Sequence, residues 1–173
     1  MRKRRDFLEG KRTDIMKKEV KQQFTRRITQ ANSTELVVIL YEMLLCYLED
    51  GENAVEHGEA ELLHEAARNA RGCLNELVGS LNLSYEPAPA LQRLYMFCFR
   101  RLAQAERRMD SSPLDEIRRV IKPLRDAYAK IAGENTAGPV MRNSQTVYAG
   151  LTYGKNTLTE NMADQGTNRG ILA

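Results

Sequence analysis

Glu61-Leu62-Leu63-His64 has the Glu-x-x-His spacing with which helical bundles hold paired metal ions, because residues three apart share one face of a helix. Such a centre uses that motif twice, together with two further carboxylates. The other histidine, His57, is preceded three residues earlier by Ala54, so the ligand count fails and neither a metal nor another cofactor is expected. Cys46, Cys73 and Cys98 lie in apolar or helical runs without a Cys-x-x-Cys pair, which argues against zinc and against a disulfide framework. They read as core thiols of a reducing compartment. No Ser/His/Asp or Cys/His nucleophile arrangement and no Gly-rich phosphate loop is apparent, so no catalytic residues are assigned and the chain reads as a non-enzyme.

The remaining chemistry is that of surfaces. Residues 1 to 27 carry 11 Lys/Arg against 4 Asp/Glu, whereas residues 28 to 133 carry 12 against 16. Basicity therefore belongs to an N-terminal arm, led by Arg2-Lys3-Arg4-Arg5. This run, with the Arg pairs further along, motivates an alternative reading as a helical nucleic-acid-binding protein, but no helix-turn-helix or aromatic-interleaved basic patch accompanies it. Asp6, Glu9, Lys11 and Arg12 stand where a signal peptide would need an apolar stretch. Met16-Lys17-Lys18-Glu19 would serve as a second possible start, leaving residues 1 to 15 open as native sequence. The longest apolar run, Leu36 to Leu48, is interrupted by Glu42 and falls short of the ~20 residues needed for a bilayer span. A cytoplasmic location without a membrane span is expected.

The elements that must position these surfaces are helices. Asn32 followed by Glu35 forms a capping-box pattern ahead of Leu36-Val37-Val38-Ile39, opening a helix that continues to His57 and stops at Gly58. Gly51 inside it is a possible local break. Leu63, Ala66, Ala70, Leu74, Leu77 and Leu81 recur at steps of three and four over 60 to 81. Pro87 and Pro89 end that helix region with a long connection. A third helix follows to Met109 on Leu91, Tyr95, Cys98, Leu102 and Ala105. A fourth opens with Ser112 as cap and Pro113 at its first position, with a kink expected near Arg119 because Pro123 lies in its interior. The expected fold is all-α: an antiparallel four-helix bundle over 32 to 133, an N-terminal arm over 1 to 31 and a flexible, disordered tail over 134 to 173.

Two of these helices are more apolar than a bundle requires. Val38, Ile39, Leu45 and Cys46 fall on or beside the polar side of their helix, and Met96 and Phe97 project among Arg93, Arg100 and Arg101. A thick core, the chain's own arm or a dimer contact would cover them, and so would an amphipathic partner helix lying in a groove. Val20, Phe24 and Ile28 recur every four residues in the arm and form a stripe that could fold over such a groove as a cap. In the tail, Val147, Tyr148, Leu151 and Tyr153 could dock on another protein or on the groove.

Several pieces in order resemble the FliS family of flagellin-specific export chaperones. They are Ile28-Thr-Gln-Ala-Asn-Ser-Thr-Glu-Leu36 leading to Leu40-Tyr41-Glu42, and Leu74-Asn-Glu-Leu77-Val-Gly-Ser-Leu-Asn82. Leu91-Gln-Arg-Leu94-Tyr95, Phe99-Arg100-Arg101-Leu102 and Leu124-Arg125-Asp126-Ala127-Tyr128 follow. The resemblance covers about residues 24 to 131. It implies a cytoplasmic chaperone that binds the C-terminal helical segment of flagellin, prevents premature polymerisation and supports secretion through the flagellar export apparatus. The groove residues expected to receive that segment are Val38, Ile39, Leu45, Cys46, Met96 and Phe97.

Overall fold

A computed structural model of the chain describes residue 16 and residues 18 to 141, which form five helices. These are α1 (Lys18–Gln30), α2 (Ser33–Glu56), α3 (Ala60–Gly79), α4 (Ala88–Arg108) and α5 (Ser112–Glu134). Arg2 to Arg5 and the tail residues Val147 to Tyr153 lie outside the described residues.

Asn32 starts α2 as its sequence predicts. Its side-chain Oδ1 accepts from the Glu35 amide at 2.9 Å, while the Glu35 carboxylate accepts from the Asn32 amide at 2.8 Å. Two amides without partners at the helix start are thereby satisfied. Gly51 does not break α2. A Cβ there would stand 3.1 Å from Leu114 Cδ1 and 3.5 Å from Leu63 Cδ1, so the bare backbone lets α3 and α5 approach α2 closely. Ala66, Ala67 and Ala70 on α3 keep the facing surface low. Helix α4 ends at Met109 in the left-handed region, φ 52°. Ser112 is not the cap of α5: it lies inside the first turn, and Asp110 Oδ1 accepts both its amide, at 3.0 Å, and its hydroxyl, at 2.9 Å. A carboxylate near the positive helix end does this work better than a hydroxyl. The helix then runs through Pro123 to Glu134, although the proline has no amide to give the Arg119 carbonyl.

Helix α2 packs mainly on α3 and α5, and α4 packs on the same two, which places α2 and α4 across a diagonal. The core between the four is Leu44, Leu48, Leu63, Leu74, Leu77, Leu102, Leu114, Ile117 and Ile121, all at most 1% exposed. Tyr41 on α2 and Tyr95 on α4 cross the diagonal, their hydroxyl oxygens 2.5 Å apart. The Tyr128 ring of α5 lies 5.7 Å from that of Tyr41. Burial disfavours both phenolates: Tyr95 is pushed up to about 12, and Tyr41 is raised still further, first by burial and then by its hydrogen bond with Tyr95. Cys73 and Cys98 are buried thiols pushed up to about 12 by the same desolvation.

Both ends of the bundle make further contacts with it. The arm contains a helix, α1, packed on α2. The segment after α5 does not leave the bundle at once, because Asn135 reaches back to the α1–α2 junction. Its carbonyl accepts from Asn32 Nδ2 at 3.3 Å and its own Nδ2 donates to Thr34 Oγ1 at 2.8 Å, while the Val140 amide donates to the Ala31 carbonyl at 3.0 Å. Asn135 and Val140 are thus tied to the bundle within the first residues of the stretch expected to be a flexible tail, the rest of which, from residue 142, lies outside the described residues. The Gly, Asn and Thr content of this stretch gives no apolar period, so nothing local in the sequence signals a pairing across a hundred residues.

Candidate partner-binding surface

Helix α2 has two apolar sides. One enters the bundle core; the other carries Leu36, Ile39, Met43, Cys46 and Tyr47 and is covered by α1. Val20, Phe24 and Ile28 are the covering stripe, with Met16 and Ala31 at its ends. Spacing of four brings all three onto one face, and Phe24 is 7% and Ile39 2% exposed. The opposite side of α1, including Lys21, Gln22, Thr25 and Arg26, is exposed. Few polar ties hold α1 in place. Arg27 pairs with Glu42 at 2.5 Å, in a partly exposed position that is worth little by itself. The Met16 amide donates to Asp50 Oδ2 at 3.0 Å. Burial raises the Asp50 pKa, and the bond from Met16 opposes that rise.

The six residues expected to form one groove lie in different places. Ile39 and Cys46 share the stripe beneath α1. Val38 is buried at 7% exposure, and Leu45 is half-buried against the bundle core. Met96, 40% exposed, and Phe97 belong to α4, across the diagonal. The reason is angular. Steps of 100° spread 38, 39, 45 and 46 around both flanks of α2, and a diagonal neighbour cannot complete a groove with either flank. Phe97 is partly covered within its own helix, by the Arg101 guanidinium 5.1 Å from the ring centre.

A second set of partly exposed apolar residues falls on the flanks of α4 and α5 that face each other. Arg101 Nε bonds Glu116 Oε2 at 2.7 Å, which fixes the facing flanks. Leu94 and Phe97 precede Arg101 on its flank by seven and four residues. Val120, Leu124 and Ile131 follow Glu116 on the other at helical spacing. Leu94 is 36% and Ile131 53% exposed, while Phe97, Val120 and Leu124 are half-buried. At the end of the bundle a cleft of about 340 Å3 is lined by Val37, Leu77, Leu81, Leu91, Tyr95 and Tyr128. The sequence signal for this second set is the α5 spacing, but only the pairing of Arg101 with Glu116 says which flank it meets.

The metal-like motif resolves into an ion-pair cluster. His64 Nδ1 lies 2.9 Å from Glu106 Oε1, and Arg71 holds the other oxygen of the same carboxylate. Glu61 is exposed and takes no part. Among the described residues no cluster of His, Cys, Asp and Glu is arranged to hold a metal ion. No helix among them is long and apolar enough to cross a membrane.

The chain is similar in sequence to known flagellar proteins. The chain is 28% identical over 101 residues to the flagellar secretion chaperone FliS of Bacillus subtilis (strain 168), a match covering 58% of this chain and 76% of that protein. The model of the family described as flagellar protein FliS matches residues 16 to 135, from the first α1 contact to the Asn135 clamp. The chain belongs to the FliS family of flagellar proteins.

Proposed function

We propose that this chain is a cytoplasmic flagellar export chaperone that receives the C-terminal helical segment of flagellin, keeps it from polymerising and presents it for secretion. The observation that carries the reading is the α2 stripe of Leu36, Ile39, Met43 and Cys46, which already accommodates an amphipathic helix, the chain's own α1. A surface shaped for one such helix suits another with apolar residues at the same three-and-four spacing. The client takes the place of α1 and continues over the partly exposed Leu94, Phe97, Val120, Leu124 and Ile131, reaching more than one patch because it arrives unfolded. Val20, Phe24 and Ile28 then act as a removable cap.

The energetic basis is apolar burial at roughly 25 cal/mol per Å2, less the cost of ordering the client. Displacing α1 subtracts its own docking energy from the affinity. Titration calorimetry of a flagellin C-terminal peptide into the full chain is expected to give saturable one-to-one binding. A negative heat-capacity change is expected with it. Absence of binding at millimolar peptide rejects the assignment.

A further inference from the structure

Helix α4 has an outer face that neither the core nor the flank facing α5 uses. Arg93, Arg100 and Arg107 stand on it at intervals of seven residues, all exposed, with Met96 and Ala103 between them. The row repeats every ~10.5 Å along the helix. On an ordinary solvated face such arginines meet carboxylates three or four positions away. Here those positions within the helix hold Pro89, Ala90, Met96, Phe97, Ala103 and Gln104. Glu106, the one acidic residue of α4, is turned toward α3 by Arg71 and His64. Arg101 is engaged by Glu116, but among the described residues Arg93, Arg100 and Arg107 have no ion-pair partner. Beside the row lies a depression of about 930 Å3, whose lining includes His64, Arg71, Arg100, Arg107 and Glu106, the last already held by Arg71 and His64.

We propose that the outer face of α4 is a docking surface for an acidic amphipathic helix of a second protein, distinct from the client segment. Carboxylates at seven-residue spacing on that helix would meet Arg93, Arg100 and Arg107, with apolar side chains against Met96 and Ala103. Charge complementarity identifies the partner class, because the row offers three cations without an ion-pair partner among the described residues, and the nearby Glu106 is already held by His64 and Arg71. A protein helix fits better than a nucleic acid. The seven-residue repeat and the apolar residues between the arginines match a heptad partner, whereas single strands need a series of exposed stacking rings and the row of Arg93, Met96, Arg100, Ala103 and Arg107 contains none.

The test uses the full chain and fluorescence anisotropy with two synthetic helical peptides. One carries Leu and Glu in heptad register; in the other every Glu is replaced by Lys. The acidic peptide is expected to bind, with affinity falling as salt rises, and the Lys peptide is not. In the combined Arg93→Gln, Arg100→Gln, Arg107→Gln variant, binding of the acidic peptide should fall at least about tenfold. Affinity of the same variant for the flagellin C-terminal peptide should stay within about twofold, which also shows that it folds. Equal binding of the acidic peptide by parent and variant overturns the proposal. So does tighter binding of a single-stranded oligonucleotide than of the acidic peptide by the parent chain. Loss of flagellin binding by the parent chain would reject the export reading and leave this one to stand on the acidic peptide alone.

Discussion

Removal of residues 1 to 30 is expected to tighten binding of a flagellin C-terminal peptide while lowering the stability of the free chain. Both follow from the same contact. With α1 gone, Leu36, Ile39, Met43 and Cys46 lose their cover, so the free bundle has more apolar surface in water. The peptide, in turn, no longer competes with a helix tethered beside its site. If docking of α1 is worth about 2 kcal/mol net of its ordering, removal raises the apparent affinity roughly 30-fold. Phe24→Ala should act in the same direction with a smaller gain, since Phe24 is the largest side chain in the covering stripe. It preserves the full chain, so the competition remains testable if the truncated protein is poorly soluble. Unchanged or weaker affinity in both would show that α1 is a permanent part of the bundle and not a cap.

The second large effect concerns the buried hydroxyl pair that joins α2 to α4. Tyr41 and Tyr95 are 0% and 1% exposed, and their oxygens are 2.5 Å apart. Tyr95→Phe is expected to lower unfolding free energy by about 2 kcal/mol, because the Tyr41 hydroxyl stays buried with no hydrogen-bond partner in place of Tyr95. Adding Tyr41→Phe should recover most of that loss, since removing both hydroxyls leaves two rings of nearly unchanged shape and no stranded polar group. Urea denaturation of the two single variants and the double variant measures the coupling. If the two single costs simply add in the double variant, the hydroxyls do not depend on each other and this account of the diagonal contact is wrong.

Much of this architecture follows from local sequence. Asn32 and Glu35, three residues apart, are enough to mark the start of α2, and Pro87 and Pro89 mark the break before α4, because caps and prolines act within a few residues of themselves. Val20, Phe24 and Ile28 likewise declare an apolar stripe through their spacing alone. What that spacing leaves open is which helix each flank meets. Ile39 and Leu45 lie on one helix yet go to different surroundings, the first beneath α1 and the second against the bundle core, and Met96 and Phe97 belong to a helix at the opposite corner from α2. The Asn135 clamp onto Asn32 and Thr34 depends on chain closure across the whole bundle, and no local pattern encodes it. Gly51 shows the same limit from the other side. Propensity alone predicts a weak point, whereas Leu114 and Leu63 make the missing side chain a condition of packing.

Cys46 offers the most direct test that client and α1 occupy one stripe, because it is the half-buried cysteine beneath α1, whereas Cys73 and Cys98 are buried in the bundle. Burial first, then Asp50, Glu49 and Glu42, raise its pKa, so its intrinsic reactivity is low and access decides the rate. The measurement is maleimide labelling of Cys46 in the chain lacking residues 1 to 30, followed as flagellin C-terminal peptide is added. The account predicts faster labelling than in the full chain, then protection by the peptide with a midpoint equal to its calorimetric Kd. Binding of the peptide with Cys46 labelling unchanged would place the client elsewhere and contradict it.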